Sequence, residues 1–117
     1  MYTHPHFHSS THEVLCIFSG SARLCFSTPT HTPSSKIQAT VKFGDVIIIP
    51  AGISHHLLED LTGDFQMIGS YPKGKTWDMC YGDGSSGEEE KIRGIADLEW
   101  FDRDPLYGDQ GPVLEES

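Results

Sequence analysis

Short runs of apolar and β-branched residues, broken by turn residues at intervals of eight to twelve, dominate the chain up to Tyr71. Val14 to Phe18 and Ala22 to Phe26 are two such runs, and Ser19-Gly20-Ser21 between them reads as a hairpin-like break. Ser27 to Ser35, STPTHTPSS, reads as a loop. Gln38 to Phe43 alternates and stops at Gly44-Asp45, a turn signal. Val46 to Pro50 is apolar throughout, Ala51-Gly52 turns the chain into Ser54 to Leu58, and Leu61-Thr62-Gly63-Asp64 turns it again into Phe65 to Tyr71. Many short strands at this spacing predict an all-β antiparallel sandwich or barrel.

The pattern changes after Pro72. Tyr81 to Gly87, YGDGSSG, predicts a flexible loop. Glu88 to Leu98 predicts one short helix whose first turn carries acids, as the helix dipole favours, although Gly94 interrupts it. The last stretch, DPLYGDQGPVLEES, predicts an irregular segment laid over the surface. We read residues 1–82 as a barrel and 83–117 as a C-terminal extension packed on it, a single domain overall.

Composition narrows the class. A chain of 117 residues with 37% hydrophobic content, 12 glycines and 7 prolines suits one turn-rich β domain. Of the net charge of −9, −8 falls after residue 82, where eleven acids face Lys91, Arg93 and Arg103. The body is close to neutral. Neither part carries the basic stripe that a phosphate backbone requires, so nucleic acid is not an expected partner. No apolar run approaches the roughly 18 residues of a membrane span, and the polar start does not read as a secretory signal. Cys16, Cys25 and Cys80 are odd in number and form no C-x-x-C pair, which argues against a disulfide framework or thiolate zinc site and fits a cytoplasmic protein.

The candidate chemistry lies in the histidines. Four of the seven, His4, His6, His8 and His12, fall just before Glu13. In an extended strand His4, His6 and His8 share a face, and a turn brings Glu13 back from the next strand. This stretch alone allows two readings, a partial metal cage or solvated histidines near a terminus. Gly44 to His55, GDVIIIPAGISH, delivers one more imidazole just past a Pro-x-Gly turn.

Together these two stretches resemble the cupin superfamily. Its first motif, His-x-His, three or four residues, Glu, six residues, Gly, is met by His6, His8, Glu13 and Gly20. Its second, Gly, five residues, Pro-x-Gly, two residues, His, three residues, Asn, is met by Gly44, Pro50, Gly52 and His55, with Glu59 at the Asn position. YPKGKTWDMCYG and the later DPLYG…GP are similar to a group of small, single-domain metal-binding cupins of microbes and fungi, the YjlB-like group.

The resemblance implies an antiparallel jelly-roll β-barrel with one divalent metal ion held by His6, His8, Glu13 and His55. Three imidazoles and a carboxylate suit Fe, Mn, Ni or Zn among others, and leave positions open for water or substrate. It also implies a small-molecule enzyme with dioxygenase-like chemistry leading, the alternatives being a lyase or isomerase, or a non-catalytic ligand-binding cupin. Inward strand positions nominate Arg23, Phe65, Met67 and Tyr71 for substrate contact, and Glu59 as a general base. His12 and His56 neighbour motif residues and are expected to face away; His31 lies in the Ser/Thr/Pro loop and is expected to be solvated. Cupins usually carry one or two strands before the first motif, yet only five residues precede His6. That leaves an edge for pairing and predicts a homodimer in which Met1 to Pro5 adds to a neighbour's sheet.

Overall fold

The computed structural model describes residues 1–28, 36–82 and 87–115; the expected loop at 27–35, with His31, and the loop at 81–87 lie largely outside the described residues. Six strands form: β1 (Glu13–Ser19), β2 (Ser21–Ser27), β3 (Ile37–Lys42), β4 (Val46–Ile49), β5 (Ser54–Asp60) and β6 (Gln66–Ser70). They make two three-stranded antiparallel sheets, in the order β4-β1-β6 and β3-β2-β5. The layers enclose a core of Ile17, Ala22, Leu24 and Val41, joined by Ile47, Leu57, Phe65 and Met67. This is a jelly-roll of two packed sheets, without a hydrogen-bonded closure of all the described strands into one cylinder.

Strand positions follow the alternation of the sequence, but one connection corrects it. Ser19-Gly20-Ser21 is a corner between sheets and no hairpin, because β1 pairs with β4 and β6 while β2 pairs with β3 and β5. Gly20 takes a positive φ of 74°, and a side chain there would run into Thr62 and Asp64 of the next turn. Of the five connections between consecutive strands, only β2 to β3 stays within a sheet.

The N-terminal segment also behaves differently from expectation. It pairs within its own chain: the Leu57 N–H donates to the Tyr2 carbonyl at 2.9 Å, and the His55 N–H to the His6 carbonyl at 2.8 Å. On its other side Phe7 exchanges backbone hydrogen bonds with Cys80 at 2.8 and 2.9 Å. Residues 2–8 thus run between β5 and the segment near Cys80, and Met1 to Pro5 is engaged in cis.

Beyond residue 82 the described chain holds a short helix α1 (Glu88–Gly94), a 3-10 turn at Ile95–Asp97 and a last turn α2 (Pro112–Glu115). Ile95, Trp100 and Phe101 pack back onto the body, at Gly52 and His12. No helix among the described residues is long and apolar enough to cross a membrane.

Candidate metal centre

Three local features bring His6, His8, Glu13 and His55 to one place. His6 and His8 sit on the same face of the extended N-terminal segment, with Phe7 buried on the opposite side. Glu13 opens β1 on its inner face, in line with the buried Leu15 and Ile17. His55 enters β5 just after the Pro50-Ala51-Gly52 turn. There Gly52 adopts a φ of 89° with Ile95 pressed against it, and its N–H donates to the His8 carbonyl at 2.8 Å.

The resulting cluster is buried. His6, His8, Glu13 and His55 are each at most 5% exposed. One donor nitrogen from each of His6, His8 and His55 lies within 4.8 Å of the others, so the three could hold a metal ion. Glu13 Oε1 lies 3.4 Å from His8 Nε2 and 3.2 Å from His55 Nε2.

The hydrogen bonds around the cluster define its chemistry. His6 Nδ1 faces the His4 carbonyl at 3.2 Å, His8 Nδ1 the Asp78 carbonyl at 2.5 Å and His55 Nδ1 the Ile53 carbonyl at 3.1 Å. A carbonyl only accepts, so each Nδ1 carries a proton, and each ring in its neutral form turns the Nε2 lone pair inward. Glu13 Oε1 is buried with no hydrogen-bond donor of its own. Three lone pairs and an anionic oxygen cannot satisfy one another; a cation or a proton must sit among them. The donor set therefore fits a divalent metal, with the ring tautomers already fixed by outer hydrogen bonds.

Electrostatics point the same way. Burial works against the Glu13 charge, but the close His55 and His8 rings and the Tyr71 hydrogen bond outweigh it and hold the carboxyl well below its ordinary range. Burial also opposes charge on His8, yet Glu13 and the Asp78 carbonyl and carboxylate leave its pKa raised. At His6 burial prevails and the pKa falls. Tyr71 donates its phenolic O–H to Glu13 Oε2 at 2.8 Å; burial and that carboxylate push its pKa up, so it stays a donor.

Of the residues nominated for substrate, Met67 and Tyr71 line a cavity of about 270 Å3 that reaches the four clustered side chains, while Phe65 packs in the core. The structure does not bring Arg23 and Glu59 to the cluster. Arg23 stands between the inward Ala22 and Leu24 and so points outward, where its Nη2 pairs with Glu59 Oε1 at 2.8 Å. The two side chains are 47% and 53% exposed, and neither lines the cavity.

Several contributors escaped the sequence reading. Asp78 orients His8 through its carbonyl and fixes Ser9 through its carboxylate, which accepts from the Ser9 N–H at 2.8 Å. Gly69, opposite Leu15 on β6, leaves the room that the Glu13 carboxylate occupies. A glycine inside a strand signals such a close approach. His12, which faces away, accepts from the Ala51 N–H at 2.8 Å through Nδ1 and ties the Pro-x-Gly turn to β1. His4 holds His6 by its backbone while its ring packs beside Tyr81.

Comparison with known proteins now decides the family. The family described as Cupin matches residues 2–60, a span that contains all four clustered side chains. The chain belongs to the cupin family. This cupin is 32% identical over 115 residues, 98% of its length, to the Bacillus subtilis (strain 168) protein called "Uncharacterized protein YjlB", and spans 66% of that relative. The crystal structure of vicilin from Corylus avellana (hazelnut) superposes with a TM-score of 0.51 at 19% identity. That match covers 64% of the cupin and 22% of the vicilin chain, and at this identity it speaks to the fold alone.

Proposed function

We propose that this cupin holds one divalent transition metal (Fe, Mn, Ni or Zn) on His6, His8, Glu13 and His55, and acts as an enzyme on a small oxygenated metabolite. Oxidation of an enolic substrate is the leading chemistry. The observation that carries the reading is the arrangement of three Nε2 lone pairs, set by Nδ1 bonds to carbonyls, around a carboxylate oxygen without a donor. A bound ion of this class supplies a Lewis acid and, if redox-active, a route to O₂. The chain contributes the fixed imidazoles, a Glu13 carboxylate oriented by Tyr71, and an access route. Tyr2 and Trp77 line the cavity and remain 64% and 50% exposed, which supports an open approach to the cluster over a sealed structural site.

The wider reading treats residues 1–82 as the functional barrel and 83–117 as an extension braced on it. Three free cysteines support a reducing, cytoplasmic setting, and the assembly we favour is a homodimer.

Elemental analysis of protein purified without added metal tests the site. We expect about one transition-metal ion per chain, and less than a tenth of that for His55→Ala with unchanged circular dichroism. Full metal content in His55→Ala would show that the ligand set is wrong. Oxygen uptake by the loaded protein with a panel of enolic compounds tests the reaction; no uptake with any of them would favour a lyase, an isomerase or a binding protein.

A further inference from the structure

The four clustered side chains come from three separate pieces of chain: His6 and His8 from the N-terminal segment, Glu13 from the start of β1, and His55 from the start of β5. Behind the cluster these pieces meet at Ala51-Gly52. The Gly52 N–H donates to the His8 carbonyl at 2.8 Å, and the Ala51 N–H donates to Nδ1 of His12, the neighbour of Glu13, also at 2.8 Å. His55 follows three residues after Gly52, and its Nδ1 faces the Ile53 carbonyl at 3.1 Å. Two backbone N–H groups of one turn thus set how the ligand-bearing pieces sit relative to one another.

The segment after residue 87 covers this joint from outside. A side chain at Gly52 would come within 2.9 Å of Ile95 Cδ1, so the isoleucine already occupies the surface of the turn. Trp100 meets the His12 ring edge-on at 4.8 Å, and Phe101 lies tilted against it at 5.7 Å. At its start the same segment reaches the other side of the N-terminal piece. There Glu88 Oε2 accepts from the Tyr81 N–H at 3.4 Å, beside Cys80, whose backbone pairs with Phe7 between His6 and His8. Lys91 adds a loose, half-exposed ion pair to Asp78 at 3.9 Å, which contributes little. Ile95, Trp100 and Phe101 do not line the cavity that reaches the cluster, so they act on it only through the turn.

We propose, resting on the metal site proposed above, that residues 88–102 clamp the Ala51-Gly52 joint, and that clamp docking and metal binding strengthen each other. Ile95 and Trp100 are its positioning residues. The cause is shared geometry. Without a cation, inward lone pairs and a carboxylate repel one another and push the three pieces apart. An ion held by all three favours the closed joint, and the closed joint is the surface on which Ile95 and Trp100 pack. Linkage makes the effect reciprocal: what the clamp adds to metal affinity, the metal adds to clamp docking.

The test uses the full chain with zinc(II), its affinity measured by competition with a chromogenic chelator. Ile95→Ala and Trp100→Ala should each weaken binding about tenfold, within the range usual for coupled sites. Trp100→Phe keeps a ring against His12 and loses the hydrogen bond from Trp100 Nε1 to the Val113 carbonyl; it should stay within about threefold of wild type. Val41→Ala, in the core and outside these contacts, controls for lost stability and should leave affinity unchanged. In the reverse direction, zinc should slow hydrogen exchange of the amides in 88–102 about fivefold more than in β3, and should not do so in His55→Ala. Equal slowing in β3 and in 88–102, or affinity losses in Ile95→Ala and Trp100→Ala no larger than in Val41→Ala, would overturn the clamp, while one zinc per wild-type chain would keep the metal site. A wild-type chain that takes up no zinc would remove both.

Discussion

At the residue scale the histidine–glutamate cluster depends on atoms that no histidine motif names. Gly69 is the sharpest case. A methyl group at this position would collide with Glu13 Oε2, the oxygen that Tyr71 holds. Backbone conformation is no obstacle, because Gly69 lies within a strand and has no positive φ. Gly69→Ala should therefore fold, yet displace the carboxylate and weaken metal binding about 10- to 100-fold, the range typical for lost support of a ligand. Competition with a chromogenic chelator measures this; affinity within twofold of wild type would show that Glu13 has room to move. His6, His8 and His55 were legible because imidazoles two residues apart share a face and because the Pro-x-Gly turn aims the third. Gly69 and Asp78 were not, since one contributes empty space and the other chiefly a backbone carbonyl. Arg23 was nominated on chemistry that suits an anion, and its place between Ala22 and Leu24 turns it outward to Glu59.

At the scale of elements, alternation of apolar positions located each strand to within one or two residues but did not tell which strands pair. Val14–Phe18 and Ala22–Phe26 each present an inner face, and that holds equally for a hairpin within one sheet and for a corner between two. The corner wins because β4 and β6 flank β1 on both sides. The segment at 76–80 was likewise illegible, as it is held by Asp78 rather than by a sheet of its own. Burial opposes the Asp78 charge, but hydrogen bonds from the Ser9 side chain and backbone prevail and bring its pKa down from 3.8 to about 2. A depressed carboxyl stabilises the fold fully above its unfolded value of 3.8, and this contribution is lost as pH falls through about 2. The shift corresponds to about 1–2 kcal/mol once partial exposure is allowed for. Urea unfolding of wild type and Asp78→Asn should differ by about that amount at pH 5–7 and converge between pH 4 and 2. A constant difference across that range would assign the effect to shape rather than charge.

At the scale of the whole molecule the question is what covers the outer face of β4-β1-β6. Directly paired residues share a face, so Val14 and Cys16 stand with Ile48 and Val46 on one side and with Ser70 and Ile68 on the other. That is the face opposite Glu13, Leu15 and Ile17, and in a two-layer protein facing water it should be polar. It is mostly apolar, with Ile68 54% and Phe18 44% exposed. The expected dimer thus finds a different basis from the one the short N-terminus implied, because Met1 to Pro5 is occupied by β5. A second copy of the same face is the fitting cover: the body is almost neutral, the acidic charge is concentrated after residue 82, and a two-fold arrangement meets patch with identical patch. Sedimentation at micromolar concentration should give a particle of twice 13.0 kDa. Ile68→Glu, which places a charge at the centre of this face and touches no metal ligand, should shift it to a monomer with metal content unchanged. A wild-type monomer that persists at high concentration, or an Ile68→Glu dimer as tight as wild type, would show that this face is not the contact.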